Sequence, residues 1–290
     1  MRAVVIANPA SRLFLRGLRV ESVVDRLRAA GFDVVARVTS ASGEAGVLAC
    51  DAAAESYDVV VVAGGDGTIR EAIDGLAGSD VPLGIIPTGT GNVLRRFLRL
   101  PRSVDGACEV IRRGRTQRLD LGRAGGRHFV LHASVGHDAN VVRRVPAPMK
   151  AALGELAFVG SILSTLVKVQ RWRMRVRVDG DTWEGRAWAV IVANSSSYAW
   201  KLELLPHART DDGLLDVAIF DACGVLPFLG LHVRGLLGEH LKSRHVHVFK
   251  GTSVEVEADP SAPVQMDGDI VGEAPLRAVV VPSAVSIIVP

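Results

Sequence analysis

Two short glycine-rich turns, each closing an apolar run and each opening a helix-like pattern, do most to restrict how this chain can fold. In "YDVVVVAGGDGTIREAIDGL", from Tyr57 to Leu76, residues Val59 to Ala63 form a continuous, largely β-branched run of the kind found in a strand buried on both faces. A helix is expected at once after it. Thr68 is the expected N-cap, Glu71 has capping-box spacing, and Ile69, Ala72, Ile73 and Leu76 recur at helical intervals. "PLGIIPTGTGNVLRRFL" repeats the arrangement, with an apolar run from Leu83 to Ile86, the turn "PTGTGN", and a helical pattern through Val93, Leu94, Phe97 and Leu98 after Asn92 as N-cap. In an open parallel sheet, turns of this kind line one crevice outside the carboxyl ends of the strands. Glycines there let a ligand approach main-chain N–H groups, which suits phosphate. Asp66, set among Gly64, Gly65 and Gly67, would repel a bare phosphate, so it makes sense when a divalent cation or a reacting hydroxyl lies between carboxylate and anion. Neither turn has P-loop or G-x-G-x-x-G spacing. "RAVVIANPASR" adds a strand ending in Asn8 and Ser11, and Thr39 follows "FDVVARV" in the same manner.

From residue 1 to about 120, strand-like and helix-like segments alternate, the signature of a layered α/β domain with a largely parallel sheet. "VESVVDRLRAAG" reads as a helix with a glycine stop. Strand signals then dominate through "RMRVRVDGDTWEGRAWAVIVAN", "GLLDVAIF", "SRHVHVFKGTSVEVEA" and "RAVVVPSAVSIIVP", with "VDGDT" as a hairpin, so a β-rich second domain is expected. At 290 residues, 48% hydrophobic and 22% charged, the chain is long and apolar enough for two cores and lies outside the disordered regime. Its 34 Lys+Arg against 31 Asp+Glu leave a net charge of +3, which singles out no partner, and no nucleic acid is expected. Cys50, Cys108 and Cys223 are odd in number and widely spaced, which argues against a disulfide framework or a zinc site and for a reducing cytoplasm. Each is read as a small buried hydrophobe. Met1 runs directly into a strand-length apolar run, so no signal peptide is expected.

One segment of the second half departs from the strand pattern. "MKAALGELAFVGSILSTLVKVQRWRMR" carries twelve uncharged residues between Glu155 and Lys168, too few to span a bilayer, which takes roughly 20. With Arg143, Arg144 and Lys150 before it and Lys168, Arg171 and Arg173 after it, an apolar helix with basic ends is expected. Such a helix docks on an anionic bilayer surface, lines an acyl-chain pocket, or is a core helix with solvated ends. Trp172, Trp183, Trp188 and Trp200 are read as core. His132 and His137 lie near Asp138, and His245 and His247 alternate on one strand face. No Cys or carboxylate stands at ligand spacing beside that pair, so no metal site is expected there.

"GGDGT" followed by "PTGTGN" resembles the diacylglycerol kinase catalytic domain family, which also takes in sphingosine kinases and bacterial soluble lipid kinases. "NPAS" after the first strand, "RLDLG" at the domain junction, "DDGLLDV" at 211–217 and "MDGD" at 266–269 resemble the family's landmarks in the same order, so the likeness spans the chain. It implies a nucleotide-binding α/β domain over residues 1–122, a β-sandwich lipid domain over 123–282, and a last strand, 283–290, returning to the first domain. It implies ATP contacts at Asn8, Thr39, Gly64, Gly65, Asp66, Gly67, Thr68, Ile69, Arg70 and Thr90, with Asp66 and Asp120 organising a catalytic Mg²⁺ through water. A second, structural cation is implied at "RTDDGLL", held by Asp212 and the backbone carbonyls of Arg209 and Leu214. Asp269 stands where the family's Asp-Gly-Glu motif has its general base, with Glu273 as the fallback; Arg70 and Arg12 replace a common Asn and Gly. The implied activity is ATP-dependent phosphorylation of a lipid hydroxyl, diacylglycerol giving phosphatidic acid, by a cytoplasmic enzyme peripherally associated with a membrane. An NAD kinase, which shares "GGDGT", and a non-catalytic nucleotide- or lipid-binding protein are the alternatives. An exposed sheet edge in the β-rich half would allow a homodimer.

Overall fold

A computed structural model describes residues 1–144, 170–199, 202–221 and 239–290. The expected apolar helix, Trp200 and Cys223 lie outside the described residues. The chain divides into two compact units, Met1–Leu119 with Ser283–Pro290, and Asp120–Pro282.

The first unit is built from the alternation seen in the sequence. In chain order it contains β1 (Arg2–Ala7), α1 (Arg12–Leu15), α2 (Val20–Ala29), β2 (Asp33–Val38), α3 (Glu44–Ala54), β3 (Val59–Gly64), α4 (Asp66–Leu76), β4 (Leu83–Pro87), α5 (Val93–Phe97) and α6 (Val104–Arg113). The strands run parallel in the order β2-β1-β3-β4. β3 and β4 are buried along their whole length, as unbroken apolar runs require when helices cover both faces. α2 buries Val23, Val24 and Leu27 and stops before Gly31, as the glycine predicts. α6 starts on Ser103, whose hydroxyl accepts the Gly106 N–H at 3.2 Å.

Two expectations are corrected here. α4 begins at Asp66 with Gly65 as N-cap, so Thr68 is an interior helical residue, buried, and does not cap. Cys50 is exposed, and among the described residues only Cys108 is a buried cysteine. α3 buries Ala45, Ala49 and Ala52, and position 50 falls off that stripe.

The second unit begins inside β5 (Thr116–Ala124) and continues with β6 (Arg127–Phe129), β7 (His132–Gly136), α7 (His137–Arg144), β8 (Trp172–Val178), β9 (Asp181–Ala187), β10 (Ala189–Ala193), β11 (Ser197–Ala199), β12 (Leu202–Glu203), β13 (Leu215–Phe220), β14 (Val246–Gly251), β15 (Ser253–Asp259), β16 (Pro263–Met266), β17 (Asp269–Glu273) and β18 (Leu276–Ile288). One antiparallel sheet has the order β14-β13-β10-β7-β16-β17; in the other, β18 pairs β15, then come β8 and β9. Both contribute to a single core, Val135, Val190, Val217 and Val264 from the first and Trp172, Val176, Val256 and Ala278 from the second, which makes the unit a β-sandwich. Trp172 and Trp188 are buried, and Trp183 packs on the core. β18 crosses back: Ala278 pairs with Val254 of β15, while Ile287 pairs in parallel with Leu83 of β4. Among the described residues no helix is long and apolar enough to cross a membrane.

Candidate active site

In the first unit the carboxyl ends of β1, β3 and β4 are fastened to one another by the polar residues that follow them. The Asn8 N–H donates to Ala63 O at 3.0 Å and its side-chain amide to Thr68 Oγ1 at 2.9 Å. Ser11 and Thr88 share a buried hydroxyl–hydroxyl bond of 2.6 Å, and Thr88 N–H reaches Gly64 O at 2.9 Å. Thr39, buried at the end of β2, donates its N–H to Ala7 O at 2.9 Å. Thr68 Oγ1 therefore accepts from Asn8, the residue that follows β1.

Asp66 joins the two glycine turns. Its Oδ1 accepts the Leu94 N–H at 3.0 Å, so it caps α5 from 28 residues away. Asn92, at the expected N-cap position, uses its side-chain amide on Gly89 O at 2.9 Å, and Arg96 Nη1 binds Gly91 O at 2.6 Å. Asp66 Oδ2 is directed toward Gly91, where a Cβ would come within 3.1 Å of it. The backbones of the turns touch: a Cβ on Gly89 would lie 2.6 Å from Gly65 Cα. Gly89→Ala should therefore prise the turns apart and lower turnover by about 10²-fold at little cost to the core, which steady-state kinetics beside a melting curve would show. Among the other expected contacts, Gly64 closes β3, Gly67 is exposed, Ile69 is buried within α4, and Arg70 and Thr90 are half-buried.

In the second unit Asp120 is 3% exposed and holds the "RTDDGLL" turn. Its Oδ2 accepts the Gly213 N–H at 2.7 Å, and its own N–H donates to Thr210 O at 2.6 Å. Asp212 Oδ1 accepts the Leu214 N–H at 3.1 Å, and its Oδ2 lies 2.8 Å from Lys250 Nζ. The Arg209 side chain pairs with Asp211. "MDGD" is a two-residue hairpin in which Met266 pairs with Asp269, and both central residues are left-handed, Asp267 at φ 46° and Gly268 at φ 84°. That geometry is what Asp-Gly favours between antiparallel strands. The Asp267 carboxylate accepts three main-chain N–H groups, from Val130 at 2.7 Å, Leu131 at 2.9 Å and His132 at 3.0 Å. Asp269 opens β17 half-buried, and Glu273 ends the same strand exposed, about 13 Å further along at strand rise.

Beneath the hairpin lies a buried polar knot. Gln265 Oε1 accepts the Gly268 N–H at 2.8 Å, and its amide nitrogen donates to Ser134 Oγ and Asp138 Oδ2, both at 2.9 Å. Ser134 and Tyr198 also donate to the Asp138 carboxylate. Desolvation, with the Asp138 charge beside it, pushes the Tyr198 phenol well above its ordinary value. His132 lies against the Tyr198 ring at 4.9 Å, and His137 meets Trp188 edge-on at 5.7 Å. No carboxylate stands at ligand spacing from His245 and His247 in the sequence, yet Asp221 lies beside both in space. Asp221 Oδ1 is 3.0 Å from His245 Nδ1, and its Oδ2 is 2.8 Å from His247 Nε2. Asp221 follows β13, and the β13–β14 pairing brings it alongside.

Comparison with known proteins decides the class. Residues 2–124 match the diacylglycerol kinase catalytic domain, and residues 132–289 match the YegS C-terminal NAD kinase beta sandwich-like domain. The chain is 31% identical over 276 residues to the diacylglycerol kinase of Staphylococcus saprophyticus, covering 94% of this chain and 90% of that one. The chain belongs to the diacylglycerol kinase family. The Bacillus subtilis diacylglycerol kinase is 28% identical over 277 residues, 94% of this chain and 91% of its own. A crystal structure of a diacylglycerol kinase from Bacillus anthracis matches with a TM-score of 0.80 at 26% identity, covering 100% of this chain and 97% of that one. As a diacylglycerol kinase family member this protein is a phosphotransferase, and the family implies use of ATP and, typically, a divalent metal.

The family's nucleotide side suits a hard cation here. Asp66 keeps one carboxylate oxygen clear of hydrogen bonds among the described residues, which leaves it able to hold the cation, while the unsatisfied main-chain N–H groups of the first turn of α4 suit the phosphates. The sequence pointed to Ser11 as a strand-end residue, to Asp138 beside His132 and His137, and to Asp267 within "MDGD", but not to these bonds, and Thr88, Gln265 and Lys250 carry no local pattern that would have found them. Asp267 was in plain view within "MDGD", and its Asp-Gly pair was the available signal for a tight hairpin.

Proposed function

We propose that this protein transfers the γ-phosphoryl group of ATP to the free hydroxyl of diacylglycerol, forming phosphatidic acid and ADP. The carrying observation is the Asp66 carboxylate, which bridges two glycine turns whose backbones are in contact. In this reading the N–H groups of Gly64–Arg70 and the Thr90 turn cradle the phosphates, Thr39 flanks them, and Asn8 acts through Thr68. Asp66 and Asp120 would be the residues to hold Mg²⁺ through water, and the ion, when bound, would supply neutralisation of the phosphate charge. Asp269 accepts the proton of the lipid hydroxyl as its oxygen bonds to the γ-phosphorus and the bond to ADP breaks. Asp267, Gln265 and Asp138 hold the hairpin from which Asp269 projects.

The lipid substrate is proposed to be met at a membrane surface. This is supported by α1 and its continuation, where Leu15 is 75% exposed and is flanked by exposed Arg12, Arg16 and Arg19. The test is an acceptor panel with mass detection of product, using purified protein, ATP and Mg²⁺ with diacylglycerol, other lipid alcohols in mixed micelles, or NAD. Phosphatidic acid from diacylglycerol supports the assignment. NADP formation, or ATP binding with no product from any acceptor, would overturn it in favour of an NAD kinase or a non-catalytic binder.

A further inference from the structure

We infer that Lys250 is a built-in cation for the Asp212 turn, taking the position that a dissociable structural divalent ion would otherwise hold.

The placement follows from strand register. Lys250 lies on β14 directly opposite Asp216 of β13, which sets its ammonium over Asp216 and over Asp212 of the turn. Lys250 Nζ is 2.8 Å from Asp212 Oδ2 and 3.3 Å from Asp216 Oδ2. The remaining Asp212 oxygen accepts the Leu214 N–H. A hard cation binds carboxylate oxygen at roughly 2.0–2.6 Å, so an ammonium already on that oxygen both fills the coordination position and repels a second positive charge. Asp216 is 5% exposed; burial pushes its carboxyl above the ordinary range and Lys250 draws it back. The other charges nearby are committed, Asp211 to Arg209 and one oxygen of Asp120 to the Gly213 N–H. Because Asp120 is fixed to this same turn through Gly213 and Thr210, Lys250 also keeps Asp120 in place whatever the free divalent concentration. The inference concerns ion dependence of the fold and does not rest on the lipid assigned above.

The experiment is thermal unfolding of the full chain without nucleotide, in EDTA and in millimolar Mg²⁺ or Ca²⁺. The wild-type midpoint is expected to be the same in all three. Lys250→Met, which strands two carboxylates, should melt about 4–10 °C lower in EDTA and recover part of the loss with a divalent ion. That recovery should vanish when Asp212→Asn is added. Three results would overturn the inference: a wild-type midpoint that rises with a divalent ion and no longer does so in Asp212→Asn; a Lys250→Met protein as stable in EDTA as wild type; or a loss that no divalent ion restores. Should Lys250→Met fail to fold, the wild-type and Asp212→Asn melts decide the matter alone.

Discussion

Asp66→Asn should abolish phosphoryl transfer while leaving the fold intact. The substitution keeps an oxygen that can accept the Leu94 N–H, so the link between the glycine turns and the start of α5 survives. It removes the negative charge that the proposed cation requires. Loss of an electrostatic group aimed at the transferring phosphoryl is expected to lower turnover by about 10³-fold. Asp66→Ala removes the acceptor as well and should cost a further ~1 kcal/mol of stability, the usual scale for a lost helix cap. Steady-state kinetics beside thermal unfolding separates the two contributions. An Asn variant that retains activity would show that the carboxylate serves only to brace the turns.

The largest stability effect is expected at Asp267, two residues from the proposed base. Asp267→Ala would leave the N–H groups of Val130, Leu131 and His132 without their acceptor, in residues that are 0%, 4% and 8% exposed. Each stranded buried donor costs about 1–3 kcal/mol, so the sum for three, roughly 3–9 kcal/mol, is a large share of ordinary domain stability. The left-handed backbone at Asp267 adds strain for alanine, whereas asparagine tolerates it and keeps one acceptor. Denaturant unfolding should therefore rank wild type above Asp267→Asn above Asp267→Ala. Asp269→Ala should unfold like wild type and lose about 10²–10⁴-fold in turnover, with Asp269→Glu restoring activity. If instead Asp269→Ala unfolded the protein and Asp267→Ala did not, the roles assigned to the two carboxylates would be exchanged.

These two carboxylates show where the sequence was legible. Both glycine turns, the parallel order of the runs that precede them and the β-rich second half follow from local periodicity and turn chemistry, and the structure has them in place. Apart from Cys50, which falls off the buried stripe of α3, what was not legible shares one cause, which is contact across chain distance. The Thr68–Glu71 spacing satisfies a capping box locally, yet the hydroxyl is claimed by Asn8, 60 residues earlier, and Glu71 accepts from Ser42. Asp221 reaches His245 and His247 only because β13 and β14 pair, 24 and 26 residues being too far for any spacing rule. Asp267 reads as part of a catalytic motif, while its hydrogen bonds go to a segment more than 130 residues away. Lys250 carries no motif at all, and register alone delivers it to Asp212 and Asp216.

Calorimetric titration of ATP into wild type and Asp66→Asn, each with and without Mg²⁺, tests the central claim most directly. A cation held between Asp66 and the phosphates predicts that wild-type affinity falls at least about tenfold, or ~1.4 kcal/mol, when Mg²⁺ is withdrawn, and that Asp66→Asn shows little response to the ion. Wild-type affinity unchanged by Mg²⁺, or an Asp66→Asn protein that responds to Mg²⁺ as fully as wild type, would contradict it.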